Sequence, residues 1–182
     1  MPKFFVSPDK VSEHTIKIDT DDVKHIKRVL RLDVGDEINV SDSVGTDYTA
    51  KISSIEEDCI LCEILSSVKN NTEPNISVTL YQALPKASKM EFIIQKTTEL
   101  GITRIVPCAL SRCVVKLDGK DAVKKVERWQ KIADEASKQS GRGIIPEIAP
   151  VMSFKDAVID MQKSDLCFVP YENAEDTKLK SV

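Results

Sequence analysis

A chain of 182 residues that is 41% hydrophobic and 30% charged fits one or two soluble globular domains. It has no apolar run of about 18 residues, so no helix is expected to cross a membrane. The N-terminal stretch MPKFFVSPDK lacks the apolar core of a signal peptide, so a cytoplasmic location is expected. The net charge of −3 excludes a uniformly basic protein but is unevenly spread: residues 1–70 hold 9 Lys/Arg against 14 Asp/Glu, and residues 71–150 hold 13 against 9. A local basic field in a mildly acidic chain suits a phosphate-bearing partner.

Residues 1–65 read as a small β-rich unit. Phe4-Phe5-Val6 and Thr15–Ile18 are short strands. Asp19–Leu30 is a helix, with Thr20 as its cap, Asp21 and Asp22 in its first turn, and Val23, Ile26 and Leu30 on one apolar stripe. Its other face carries Lys24, Lys27, Arg28 and Arg31. Glu37–Ser41, Tyr48–Ile55 and Cys59–Leu65 alternate like a meander, and strands closing on one helix predict a small barrel. Ser66–Asn75 is polar, contains Pro74 and reads as a linker.

Beyond the linker the period changes. Ile76–Leu84 and Ile102–Cys108 read as strands, and so do a short stretch near Ile148 and Leu166–Val169. Lys89–Leu100 reads as a helix with Met90, Ile93, Thr97 and Leu100 on one side. Asp121–Ser140 is a long helix with Val123, Val126, Ala133 and Ala136 in register. Ser153 caps a further helix running to Met161. Strands alternating with helices imply right-handed crossovers and a parallel sheet.

Several chemistries lack their parts. There is no GxGxxG after the first strand of the second unit, no phosphate-binding P-loop and no GxSxG elbow. Both histidines, His14 and His25, lie in the first unit, which excludes a Ser-His-Asp arrangement in the second. Cys59-Ile-Leu-Cys62 falls on a strand, where residues three apart face opposite ways, so no metal is expected. The five cysteines read as free thiols.

Open parallel sheets bind ligands at their strand ends. Three loops are expected to converge there: Pro85-Lys86-Ala87-Ser88-Lys89, Ser111-Arg112-Cys113 and Pro170-Tyr171-Glu172. Arg112 is the only charge between Arg104 and Lys116, and in its apolar surroundings it needs an anion or a carboxylate. In Gln139-Ser140-Gly141-Arg142-Gly143, Gly141 ends the long helix and Gly143 permits close backbone approach. Arg142 is expected to be held out between them, aimed with Gln139 at a phosphate or base edge; a plain helix cap with an exposed arginine fits the spacing equally.

Gln82-Ala83-Leu84-Pro85-Lys86, Met90-Glu91, Lys96-Thr97-Thr98-Glu99-Leu100-Gly101, Ile105-Val106-Pro107, Ser111-Arg112, Arg128-Trp129 and Glu135–Arg142 together resemble the ribosomal RNA small subunit methyltransferase E (RsmE) family. Lys3-Phe4-Phe5-Val6 and Val29-Leu30-Arg31 with Gly35-Asp36 resemble its PUA-like domain. The resemblance implies an α+β two-domain fold: a PUA-like β-barrel at 1–68, a linker at 69–75 and a SPOUT-type, trefoil-knot α/β methyltransferase domain with a parallel sheet at 76–182. The family's Gly-Pro-Glu-Gly-Gly and Leu-Gly-x-Arg-Ile-Leu-Arg stretches are absent, so the last domain is expected to be C-terminally incomplete, and inactive alone.

The resemblance further implies S-adenosylmethionine as cofactor, N3 of a uridine in 16S ribosomal RNA of the small subunit as acceptor, and a homodimer. Arg112, Arg142 and Gln139 are the catalytic candidates, because a cation can stabilise uracil as its N3 proton is lost. Leu84, Val169, Pro170, Tyr171 and Glu172 are the cofactor candidates. Lys3, Lys24, Lys27, Arg28, Arg31, Lys86, Lys89 and Lys138 are the RNA-binding candidates. Two other readings remain: a non-catalytic RNA-binding or ribosome-assembly protein, and an α/β enzyme acting on a small phosphorylated metabolite.

Overall fold

The computed structural model describes residues 1–86, 88–117 and 119–170. Its N-terminal part is a five-stranded sheet in the order β1-β3-β4-β5-β2, formed by β1 (Lys3–Phe5), β2 (Thr15–Ile18), β3 (Glu37–Ser41), β4 (Thr46–Ile55) and β5 (Ile60–Lys69). β1 runs parallel to β3 and the other pairs are antiparallel. Alternation does the folding: Ile16, Ile18, Ile38, Val40, Ala50, Ile52, Ile60 and Cys62 all point into one core. Two register shifts in the β4–β5 ladder, at Thr49/Ala50 and Ile52/Ser54, bend the long hairpin around that core. Burial pushes the Cys62 thiol up to about 11, so it stays protonated and inert.

The expected helix is present in altered form. Helix α1 (Asp22–Lys24) widens at once into a π-helix over His25–Leu30. Val23 and Ile26 are buried among the strand residues and close the open side of the sheet. Arg31 ends the segment in the left-handed region (φ 53°), a conformation uncommon for a residue with a Cβ.

The second sheet is wholly parallel. β6 (Thr79–Ala83), β7 (Arg104–Ala109) and β8 (Glu147–Ile148) lie side by side, and β9 (Met152–Ser153) pairs with the far end of β7. β8 and β9 are thus two pieces of one outer strand, interrupted at Ala149-Pro150-Val151. Helices α2 (Lys89–Glu99) and α3 (Gly119–Ser140) cover one face, where Leu84, Met90, Ile94, Ile102, Ile105, Trp129, Ala133 and Ile148 form a core. Helix α4 (Phe154–Met161) covers the other face over Val106, Cys108 and Ala149, with Ala157 packed inward. Ser153 caps α4 as expected, its hydroxyl accepting from the Asp156 amide at 3.2 Å. The resulting three layers are those expected of strands joined by helical crossovers.

Four expectations need correction. On α2 the buried stripe is Met90, Ile94 and Thr98, while Leu100 lies beyond the helix and is exposed. Met90, Ile94 and Thr98 are spaced four apart and form one i, i+4, i+8 row, the face that meets the core. On α3, Val123 is exposed and Trp129 and Ser137 are buried. The expected linker is ordered: β5 continues to Lys69, and the residues after it are tied down by side chains. Leu166–Val169 forms no strand, and Leu166, Phe168 and Val169 are exposed. A strand needs a partner for its amides and carbonyls, and no ladder among the described residues includes them. The described residues do not bear on the expected knot.

Candidate active site and nucleic-acid interface

The C-terminal ends of β6 and β7 lie together. Ala83 pairs with Cys108, and the Leu84 amide donates to the Cys108 carbonyl at 3.0 Å. Beyond this point Lys86 and Lys89 are exposed on the β6 side. On the β7 side the chain turns through Leu110–Cys113, closed by the Cys113 amide donating to the Leu110 carbonyl at 3.0 Å. Cys113, Val115 and Leu117 pack on the core beneath and hold this loop against the sheet end. Arg112 stands exposed on the turn and has no hydrogen bond or ion pair among the described residues. A guanidinium placed there is available to an anionic group.

Leu84 is buried in the core below this edge. Its amide is already taken by the Cys108 carbonyl. Val169 and Pro170 are exposed in a stretch without regular structure. Tyr171 and Glu172 lie outside the described residues.

Arg142 is not where its expected role requires. It is 3% exposed. Its Nε donates to both oxygens of Glu73 at 2.9 and 3.0 Å, and Nη2 donates to Oε2 at 2.5 Å. Nη1 donates to the carbonyls of Thr98 (2.7 Å) and Ile102 (3.0 Å). Those carbonyls precede β7, whereas Arg112 follows it. The six residues of β7 alone span about 20 Å at ~3.3 Å per residue. The two arginines therefore occupy opposite ends of the strand and share no substrate atom. The physical reason is the fate of the guanidinium: burial demanded partners, and a carboxylate, the helix-end carbonyl of Thr98 and the loop carbonyl of Ile102 supplied them.

Gln139 is exposed on the inter-sheet side of α3. It lines a cleft of about 250 Å³ with Pro2, Lys3, Phe4, His25 and Lys138. A larger lobe of about 540 Å³ shares His25, Glu135 and Lys138 with it. Asp21, Asp22, Asp134 and Glu135 oppose the cations of these lobes. Burial raises the Asp134 carboxyl above its usual range, against the lowering effect of the Gln130 hydrogen bond and of Lys138. The cleft is a mixed-charge seam between the two sheets.

The RNA-binding candidates divide in two. Lys24, Arg28 and Arg31 are exposed and without ion pairs among the described residues, as are Lys86 and Lys89. Lys27 is exposed, and its ammonium donates to the Glu56 carbonyl at 2.9 Å. Lys3 and Lys138 are instead held inside the molecule. Lys3 pairs with Asp47 at 2.9 Å and lies 5.8 Å from the Phe5 ring centre. Lys138 pairs with Asp22 at 2.5 Å. Their expected exposure is corrected accordingly, since a mostly covered ammonium needs a fixed carboxylate.

The match to known proteins covers both sheets. Residues 18–65 match the family model described as an RNA methyltransferase PUA domain, and residues 72–182 match the RNA methyltransferase domain. The chain is 40% identical over 160 residues to ribosomal RNA small subunit methyltransferase E of Bacillus subtilis (strain 168), with 88% of this chain and 62% of that protein covered. It is 34% identical to the protein of the same name from Synechocystis, with 84% and 48% covered. The chain belongs to the ribosomal RNA small subunit methyltransferase E family.

Solved structures agree with this family membership. A crystal structure of a hypothetical protein superposes with TM-score 0.88 at 38% identity, covering 93% of this chain and 71% of the other. Ribosomal RNA small subunit methyltransferase E from Neisseria gonorrhoeae, bound to S-adenosyl methionine, superposes with TM-score 0.79 at 34% identity, covering 88% and 66%. The chain thus spans between about half and two thirds of the curated relatives' length. Within the family frame, sequence reasoning missed Glu73, Asn70 and Ser41, which together organise the surroundings of Arg142. The one available signal was an acid in the polar segment before β6, facing a buried-helix-end arginine, and nothing in the spacing pairs the two.

Proposed function

We propose that this chain belongs to a methyltransferase that moves the methyl group of S-adenosylmethionine to N3 of a uridine in 16S ribosomal RNA. Residues 1–68 serve as the PUA-like RNA-binding unit, 69–75 as the joint and 76–182 as the methyltransferase unit. The observation that carries the reading is the exposed guanidinium of Arg112, without a partner among the described residues, at the C-terminal edge of a parallel sheet in a chain of this family.

S-adenosylmethionine supplies an electrophilic methyl carbon on a sulfonium. The residues present suit part of such a site: an apolar floor at Leu84, and a turn whose backbone is fixed from below by Cys113 and Val115. Val169 and Pro170, with Tyr171 and Glu172, remain the candidates for the adjoining wall. Arg112 would hold the oxygens of the pyrimidine and stabilise the negative charge left when N3 gives its proton to solvent, so no histidine base is needed; the N3 electron pair would then take the methyl carbon as its bond to sulfur breaks, with S-adenosylhomocysteine leaving. Lys86 and Lys89 beside it, and Lys24, Lys27, Arg28 and Arg31 on the first unit, bind phosphates. Arg142 takes no part in this chemistry. The active form is a homodimer that works on the small subunit in the cytoplasm.

The test is methyl transfer to a 16S RNA fragment by a chimera that carries the remaining C-terminal part of the Bacillus subtilis relative. The expected product is N3-methyluridine. Arg112→Ala in that chimera should lower kcat by about 100-fold, the scale of losing one charge-stabilising donor, with S-adenosylmethionine affinity within twofold. Equal loss in rate and cofactor affinity overturns the assigned role.

A further inference from the structure

Nine residues, 70 to 78, separate the end of β5 from the start of β6. A free segment of that length would allow many orientations of one sheet against the other. Directional contacts restrict them instead, and they meet on Gly141-Arg142-Gly143.

The first set of contacts comes from the joint itself. Besides gripping Arg142, Glu73 Oε1 accepts from the amides of Gly143 (2.7 Å) and Ile144 (3.2 Å). Thr72 Oγ1 donates to the Gly141 carbonyl at 3.3 Å. The second set comes from the N-terminal sheet. Ser41 Oγ donates to the Gly143 carbonyl at 2.8 Å in a buried contact. Lys3 reaches the Gly141 carbonyl at 3.4 Å while paired with Asp47, and Asp47 also accepts from Asn70 Nδ2 at 2.7 Å. The third set is the Thr98 carbonyl at the end of α2 and the Ile102 carbonyl just before β7, which both receive Nη1. One tripeptide therefore touches the N-terminal sheet, the joint and the second sheet's helical layer.

Close packing tightens the arrangement. A Cβ on Gly143 would overlap the Asn70 side-chain amide, so glycine is required there by approach. Gly141 needs glycine for a different reason, its φ of +71°. A buried ion pair contributes little net stability compared with an apolar replacement, whereas its geometry is specific. A lysine at 142 could not serve a carboxylate edge and two carbonyls in one plane.

We propose that Glu73 and Arg142 are positioning residues that lock the PUA-like sheet against the methyltransferase sheet, so that RNA held by both is presented in one register. The RNA half of this inference rests on the function proposed above; the lock does not.

The test avoids removing Arg142, whose loss could unfold the chain. Gly143→Ala forces Asn70 aside, and Asn70→Ala removes the three atoms that lie nearest to the new methyl, Cγ, Oδ1 and Nδ2 of Asn70. Bio-orthogonal spin labels at the exposed positions Val44 and Val123 report the inter-sheet distance. Gly143→Ala should broaden that distance distribution and weaken binding of a 16S RNA fragment at least tenfold, with the circular dichroism spectrum unchanged. Adding Asn70→Ala should restore both to within threefold of Asn70→Ala alone. Glu73→Gln should broaden the distribution as well. An unchanged width in Gly143→Ala and Glu73→Gln, or failure of Asn70→Ala to restore it, overturns the lock. A restored width without restored RNA affinity overturns the positioning role. If the parent chain binds no 16S RNA, the functional reading falls and takes the positioning role with it, while the distance distributions still decide the lock.

Discussion

Arg142 shows how far a residue's surroundings can differ from what its neighbours in sequence suggest. Flanking glycines suggested a side chain held out at a rim. The helix stop at Gly141 was legible, because the sequence marks it with the residue the left-handed conformation favours. The partner was not, since Glu73 lies 69 positions away and pairing at that range follows from tertiary packing alone. Arg112, isolated in an apolar stretch of sequence, is by contrast an exposed guanidinium with no partner among the described residues. Burial pushes the Glu73 carboxyl upward, but hydrogen bonds from Arg142 and the amides of Gly143 and Ile144 outweigh it and hold its pKa below the ordinary value. A depressed folded pKa contributes stability that is complete above the unfolded pKa of about 4.3 and is lost as pH falls through the folded value. In acid titrations followed by tryptophan fluorescence, the parent should therefore lose stability below about pH 4.3 more steeply than Glu73→Gln. Parallel curves would contradict this.

At the scale of elements, period and punctuation carried most of the information. β3 was bounded by alternation at Glu37–Ser41 and is observed there, and α4 begins after its predicted Ser153 cap. The π-helix at His25–Leu30 was not legible, because Val23, Ile26 and Leu30 suit an α-helical stripe equally well. The misplaced strand at Leu166–Val169 had the right composition, but composition cannot provide a neighbouring strand. What secures α4 also escaped the sequence. Asp160 accepts from Arg104 (2.6 Å), Tyr81 (3.0 Å) and Lys163 (2.9 Å), joining the helix to β6 and β7. The hydrogen bond from Arg104, followed by those from Lys163 and Tyr81, keeps this carboxylate ionised well below its usual range. Asp160→Asn should speed amide hydrogen exchange in α4 at least tenfold while leaving α2 and α3 unchanged. Uniform acceleration across all three helices would show that Asp160 supports the whole sheet instead.

For the whole molecule, the division of charge is the feature that a single net value conceals. Among the RNA-binding candidates, Lys24, Arg28, Arg31, Lys86 and Lys89 have no ion pair among the described residues and are distributed over both units, while Lys3 and Lys138 are occupied at the seam between them. Each phosphate contact adds about 0.7 to 0.9 to the slope of log affinity against log salt. Replacing Lys24, Arg28 and Arg31 by Gln should therefore flatten that slope for a 16S RNA fragment by about two units. The same change at Lys3 should leave the slope intact and disturb the seam. An unaltered slope in the triple variant would remove the π-helix from the RNA interface.

The break in the outer strand has a consequence of its own. Between β8 and β9 stands Pro150, which has no amide hydrogen to offer, and on either side only two residues are paired to β7. A strand from another molecule docking along this margin would meet a row of donors too short and too uneven to zip onto. Among the described residues, the margin is therefore guarded against intermolecular sheet growth by an imino acid, with the exposed Glu147 carboxylate on the same broken strand.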